Sequence, residues 1–348
     1  MLVPVLLLLV GLVLLIKGGD WFVDGAGGIA RRFHLPEILI GATVVSIGTT
    51  LPEVMVSAGA ALQGSGSIAY GNALGSIICN TALIAAITIA VKPGEAMRKS
   101  LILPVSFFFV SYAVFGVCSY VFGEFSVYVG ILLLGMFVVY MTLNVLKVRA
   151  SSVDIDTVIM EESGKSCVTE AELESATGED HVVESAEEGT KDKFIKDIIM
   201  LIAGAALIAV GADFLVDNAI IIATKIGISE KVIGLTVIAL GTSLPELVTA
   251  ITSLAKGHGS LSLGNIIGAN LFNLVLVSGV SITLSPFALP MSSEVFGINS
   301  SLLIDLPVGF AVMAILTVPP LLKQRLYRWQ GIALLGVYAL FMICQFVI

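Results

Sequence analysis

The chain is poor in charge: 13% of its 348 residues are Asp, Glu, Lys or Arg, about half the fraction usual in a soluble globular domain. It is also poor in the residues that build redox or soft-metal centres. Cys79, Cys118, Cys167 and Cys344 are scattered without C-x-x-C spacing, and His34, His181 and His258 fall in connections between apolar stretches. A disulfide framework and a histidine-built metal centre are therefore not expected. The apolar body has no nucleophile–base pair, phosphate loop or metal-hydrolase motif, which argues against an enzyme and against any resident cofactor. No nucleic-acid partner is expected either. Residues 1–16 lack a basic n-region and an A-x-A site, so they read as a retained first helix rather than a signal peptide.

What remains is apolar. Hydrophobic residues make up 57% of the chain and the mean hydropathy is +1.03. Runs such as "MLVPVLLLLVGLVLLI" and "LIAGAALIAVGADFLV" approach the ~20 residues that cross a bilayer. The expected fold is an all-α polytopic membrane protein of ten transmembrane helices, at 2–31, 36–62, 67–91, 101–122, 125–147, 195–224, 229–255, 260–285, 301–322 and 329–347. Between the fifth and sixth lies an acidic stretch. Residues 151–190 hold twelve acids against one base, Lys165, so the formal charge of −8 belongs to this segment and the remainder is net basic. Low hydrophobicity and high charge predict a disordered linker over 149–194. It has no D-x-D-G loop, so a folded calcium sensor is not expected there.

The two halves repeat each other. "GGDWFVDGAGGIARRFHLPEILIGATVVSIGTTLPE" aligns without a gap to "GADFLVDNAIIIATKIGISEKVIGLTVIALGTSLPE" at an offset of 193 residues, and "SIAYGNALGSIICNTALI" matches "SLSLGNIIGANLFNLVLV" at the same offset. The predicted units are 1–148 and 195–348, each of five helices. Five is odd, so the second unit enters the membrane from the opposite side, the inverted repeat of many secondary transporters. Fourteen Lys and Arg fall in connections on the linker's side and only Lys225 and Lys231 on the other. The positive-inside rule then makes the linker cytoplasmic and puts both termini outside a cell membrane.

Within the second helix, Pro52 cannot donate to the Gly48 carbonyl, and its ring opens that turn. Freed carbonyls are tolerated at membrane depth only where they line a cavity or bind something. Thr49 and Glu53, four residues apart, share a face. The seventh helix repeats the device with Gly241, Thr242, Pro245 and Glu246. A two-fold axis in the membrane plane would bring both bends to a midplane site ringed by broken helices 2, 3, 7 and 8. The third and eighth helices contribute Ser76 and Asn80, Ala269 and Asn273, with Gly71, Gly75, Gly264 and Gly268 permitting close approach. Such a site offers oxygen ligands with no Cys or His nearby, which suits a hard cation. Two carboxylates with carbonyls are what Ca²⁺ takes. Emptied of Ca²⁺ the two negative charges repel, so replacement by Na⁺ or H⁺, and hence exchange, follows. Intramembrane acids mark function by default, and no basic residue lies in the apolar cores of these helices to neutralise them. Asp20 and Asp24, matched by Asp213 and Asp217, are assigned to the interface. Glu37 and Asp305, each near a proline, mark helix ends, and Lys17 snorkels.

The paired "GTTLPE…GNALGSIICN" and "GTSLPELVTA…GNIIGANLFN" resemble the alpha-1 and alpha-2 repeats of the cation/calcium exchangers, specifically the prokaryotic sodium/calcium exchanger branch. Here these regions span about 36–91 and 229–285, and the resemblance covers essentially all ten helices. It implies an antiporter in which Glu53 and Glu246 are the main Ca²⁺ ligands, helped by the carbonyls of Thr49 and Thr242. Na⁺ would use the same carboxylates with hydroxyls of Thr49, Thr50, Ser76, Thr242 and Ser243, while Asn80 and Asn273 flank the centre. The resemblance also implies that the first and sixth helices slide over the other eight to alternate access, in a protein working as a monomer in the lipid bilayer. Ala269 departs from it, since relatives commonly carry serine there. K⁺-dependent relatives tend to have Asp at position 273 and proton-coupled relatives typically show "GN-x-x-E", so both features weigh against K⁺ and H⁺ coupling, the alternatives to Na⁺. A cation channel is a more distant one.

Overall fold

The computed structural model describes residues 2–33, 37–165, 180–226, 241, 243–290, 294–295 and 297–347. It is helical apart from two-residue ladders in the connections. Helices α1 (Leu2–Arg32), α2 (Ile38–Leu62), α3 (Gly66–Val91) and α4 (Arg98–Phe122) are followed by α5 (Val127–Lys165) and α6 (Asp180–Lys225). Then come α7, described over Leu244–Ala255, α8 (Gly259–Leu284), α9 (Ser301–Lys323) and α10 (Arg328–Val347). Among the described residues, eight helices are long and apolar enough to cross a membrane. Both α5 and α6 run into the acidic segment expected to be disordered, and residues 166–179 of that segment lie outside those described. The first half of the seventh predicted helix, 229–240, lies outside them too.

Burial separates a centre from a periphery. The apolar window of α8 is 83% buried and that of α3 72%, against 22% for α1 and 17% for α6. The main core joins α3, α4, α8 and α9 through Leu74, Ile78, Phe108, Phe115, Phe272 and Leu316. A second, smaller cluster holds Leu15, Phe22, Val23 and Ala26 of α1 with Ile208 of α6, and reaches α2 through Ile40 and Val45 and α8 through Leu261. These two long helices pack antiparallel on one another. A Cβ on Gly18 would stand 2.8 Å from the Ile208 nitrogen, and one on Gly204 2.8 Å from the Phe22 Cα, so only glycine lets the backbones meet.

The connections gather at two ends. At one, Glu124–Phe125 pairs with Phe287–Ala288, Leu289 N–H donates to the Gly123 carbonyl, and the Phe115 and Phe125 rings stack 4.6 Å apart. At the other, the linker's end by sequence, Leu326 N–H donates to the Gly94 carbonyl and Ala96 N–H to that of Gln324. There Lys256, just beyond α7, bridges to Asp24 at 2.7 Å and Asp20 at 3.3 Å on α1.

Candidate ion-binding site

The helices around the site are modified more subtly than the sequence suggests. Residues Ser46–Leu62 form continuous α-helix through Pro52, and the widened turn in α2 is a π-helical stretch at Gly41–Val45. In α3 and α8 likewise, π-turns at Asn80–Ala85 and Asn273–Val277 take the place of breaks. These correct the expectation of broken helices 2, 3 and 8. A π-turn shifts the hydrogen-bond register by one residue and so re-aims side chains without ending the helix. Among the described residues of these four helices, the departure from helical geometry falls in α7. Ser243 has φ −94° and ψ 8°, and Leu244–Ala255 starts afresh with Pro245 in its first turn, where a missing N–H costs nothing.

The two proline turns face one crevice. Gly48, Thr49 and Pro52 of α2 and Pro245 of α7 line it, with Phe22 of α1 and Ala205, Ile208 and Ala209 of α6 across from them. Its volume, about 10 Å³, is about that of a single water probe. Glu53 and Glu246 are both 0% exposed and interact electrostatically. Thr49, from the first half, lies beside Glu246 of the second.

Of the other expected residues, Thr49, Thr50, Ser76, Asn80, Ser243, Ala269 and Asn273 are all buried. Thr242 lies outside the described residues. Among the described residues, fourteen buried side-chain atoms find no hydrogen-bond partner, and ten of them belong to three pairs of residues 193 apart: Thr50 with Ser243, Glu53 with Glu246, and Asn80 with Asn273. Buried polar atoms are normally satisfied. A concentration of partnerless polar atoms on repeat-related positions, eight of the ten being oxygens, therefore points to a ligand that supplies the missing contacts. The donor set of carboxylates, hydroxyls and amides suits a hard cation.

Four residues near the site escaped the sequence. Asn265 of α8 is buried and bonds to Thr49 and Thr249, while Asn72 of α3 donates to Ser57 at 2.8 Å and to the Glu53 carbonyl at 3.3 Å. Their signal was present, since both stand first in the duplicated G-N motifs. Asn270 donates to Thr81 at 2.6 Å and has no counterpart in the first half, where Ile77 stands. Cys79 lies beside Ser243 and near both glutamates, which corrects the expectation that no cysteine is close. One thiol leaves the oxygen character of the set unchanged.

Close approach is borne out for Gly264 and Gly268, which meet the backbone of α2 at Ile38 and Ala42. At Gly71 and Gly75 no described residue lies within 4 Å of where a Cβ would stand. The interfacial reading of Asp20 and Asp24 agrees with their partial exposure and their shared Lys256.

A helical membrane protein that buries carboxylate, hydroxyl and amide groups at its centre belongs with the ion carriers. The family model described as "Sodium/calcium exchanger protein" matches residues 3–146 and 196–347, and the chain belongs to that family of antiporters, which are not enzymes. It is 31% identical to the sodium/calcium exchanger MaX1 of Methanosarcina acetivorans, over 99% of this chain and 98% of that one. It is 32% identical to an uncharacterized membrane protein of Methanocaldococcus jannaschii, over 95% and 94%. Among solved structures, the sodium-calcium exchanger NCX_Mj, soaked with Na⁺ and Ca²⁺, superposes with a TM-score of 0.73 at 28% identity, over 98% of this chain and 97% of that one. The chain is thus a cation/Ca²⁺ exchanger whose transported ions are its substrates.

Proposed function

We propose that the protein exchanges Na⁺ for Ca²⁺ by alternating access, with Glu53 and Glu246 as shared ligands. The observation that carries this reading is the set of ten partnerless buried atoms on Thr50, Glu53, Asn80, Ser243, Glu246 and Asn273. Two buried carboxylates close enough to interact repel unless a cation lies between them. A divalent ion neutralises both. When it leaves, the site must be refilled by monovalent cations before it can cross, because charge at membrane depth is costly. That requirement couples the two fluxes. The carbonyls of Thr49 and Thr242 add Ca²⁺ ligands, while hydroxyls of Thr49, Thr50, Ser76, Thr242 and Ser243 serve Na⁺, with Asn80 and Asn273 flanking the centre.

The architecture proposed with it is ten helices in two inverted five-helix units, 1–148 and 195–348, joined by the cytoplasmic 149–194 linker in a cell membrane, with both termini outside. Access alternates when α1 and α6 slide as a pair across the proline turns. Their mutual glycine contacts support a pair that moves as one body. The protein functions as a monomer in this reading. The decisive site test replaces each carboxylate: Glu53→Ala and Glu246→Ala should each abolish exchange in reconstituted vesicles while leaving a folded, monodisperse protein. Retained exchange in either variant would sink the assignment.

A further inference from the structure

The hydrogen bonds around Asn265 have a fixed direction, and that direction bears on which ion Thr49 can hold. Thr249 donates its single hydroxyl proton to the Glu246 carbonyl at 3.0 Å. It must therefore accept from its neighbour, the Asn265 Nδ2 at 2.9 Å. The amide of Asn265 is thereby oriented, with Nδ2 toward α7 and Oδ1 toward α2. Ser46, also in reach of Oδ1 at 3.3 Å, sits closer to the Gly41 carbonyl at 2.7 Å and the Asn265 carbonyl at 2.9 Å. Its one proton is committed there. The donor left for Oδ1 is the Thr49 hydroxyl, which lies 3.2 Å from it and 3.4 Å from its other acceptor, the Ser46 carbonyl.

The chain of bonds thus runs from Thr49 through Asn265 and Thr249 to the backbone of Glu246. It ties the proline turn of α2 to that of α7 through α8. With its proton drawn to Asn265, the Thr49 hydroxyl turns a lone pair toward the neighbouring Glu246, whose carboxylate oxygens have no hydrogen-bond partner among the described residues. A hydroxyl lone pair and a carboxylate facing each other make a pair of oxygen ligands suited to a cation between them.

Resting on the proposed Na⁺ coupling, we infer that Asn265 is a positioning residue that sets Thr49 as a Na⁺ ligand by holding its proton away from the cavity. Without Asn265, the Thr49 hydroxyl is free to turn and donate to Glu246, which removes a Na⁺ ligand and occupies a carboxylate lone pair. Ca²⁺, held here by carboxylates and backbone carbonyls, depends on this hydroxyl much less. Asn72 does not duplicate the arrangement, since its Nδ2 reaches the Glu53 carbonyl directly.

The test is a double-mutant cycle in vesicles, measuring half-saturation for Na⁺ and for Ca²⁺ separately. Wild-type exchange must depend on Na⁺; if it does not, the proposed coupling fails rather than this inference. Given that, Asn265→Ala should raise the Na⁺ half-saturation by about fivefold, the effect of one neutral hydrogen bond, and leave that for Ca²⁺ within about twofold. Thr49→Val should do likewise, and the double variant should add nothing further, because the two act as a unit. Thr249→Val, which releases the amide from its orientation without touching the cage, should shift Na⁺ in the same direction and serves where Asn265→Ala does not fold. Additive effects of Asn265 and Thr49, equal shifts for both ions, or no Na⁺ shift in either Asn265→Ala or Thr249→Val would overturn the inference.

Discussion

Replacing Lys256 by glutamine should change exchange on one face of the membrane only. Lys256 lies at the end of α7 nearer the linker and reaches across to α1, where its ammonium bonds Asp24 Oδ1 at 2.7 Å, Asp20 Oδ1 at 3.3 Å and the Asp20 carbonyl at 3.0 Å. Any motion that opens a path between α1 and α7 at that end must break these contacts. The side chains are 26%, 40% and 48% exposed, so solvent screening leaves each bridge worth about 0.2–1 kcal/mol. Together they favour the closed linker side by about 1 kcal/mol, roughly a fivefold ratio of conformers. Apparent affinity scales inversely with the fraction of protein in the competent state. The Ca²⁺ half-saturation measured from the linker side should therefore fall up to about fivefold in Lys256→Gln, with no matching fall on the other side. At the repeat-related position the chain already carries Gln63, so the variant makes the two ends alike there. Inside-out and right-side-out vesicles measured at low ionic strength give the comparison, and added salt should shrink the difference. Equal shifts on both faces, or none at low salt, would refute the reasoning that this bridge holds α1 against α7.

Ca²⁺ at about a hundred times its Kd should stabilise the purified protein by about 2.7 kcal/mol; in Glu53→Ala the rise in Tm should be less than half that of the wild type, and an unchanged rise would place Ca²⁺ elsewhere. Gly268→Ala puts a Cβ 2.6 Å from the Ala42 Cα and should cost about 1–3 kcal/mol, read as a lower Tm in detergent. Gly135→Ala, with nothing within 4 Å, is the control and should lose no stability. Ala269→Ser supplies a hydroxyl at the position where its repeat mate is Ser76, and should lower the Na⁺ half-saturation by about fivefold; no change would mean that residue 269 does not face the ion.

Much of this molecule is legible in its sequence because the membrane enforces simple rules. The apolar run 67–91 becomes Gly66–Val91, since a bilayer allows few alternatives to a helix. Where polar residues extend an element, hydropathy falls short: Arg98, Lys99 and Ser100 form the first turn of α4 but carry no apolar signal. The glutamates are legible because each is duplicated beside a proline. The π-turns are not, because Asn80–Ala85 and Asn273–Val277 look like ordinary helix in composition and owe their register to packing between helices. Nor does spacing show direction. That Asn265 receives the Thr49 proton follows only from where the protons of Thr249 and Ser46 go. The bridge of Lys256 to Asp20 and Asp24 joins residues far apart in the chain, and hydropathy could assign the two acids to an interface but not name their partner.

What drives Ca²⁺ movement is the most direct test of Na⁺ coupling. Purified protein reconstituted in vesicles should take up Ca²⁺ against its gradient when Na⁺ is loaded inside, and imposing a pH gradient should leave the rate unchanged. Uptake driven by a proton gradient with Na⁺ absent, or Ca²⁺ running down its own gradient with no counter-ion, would contradict it.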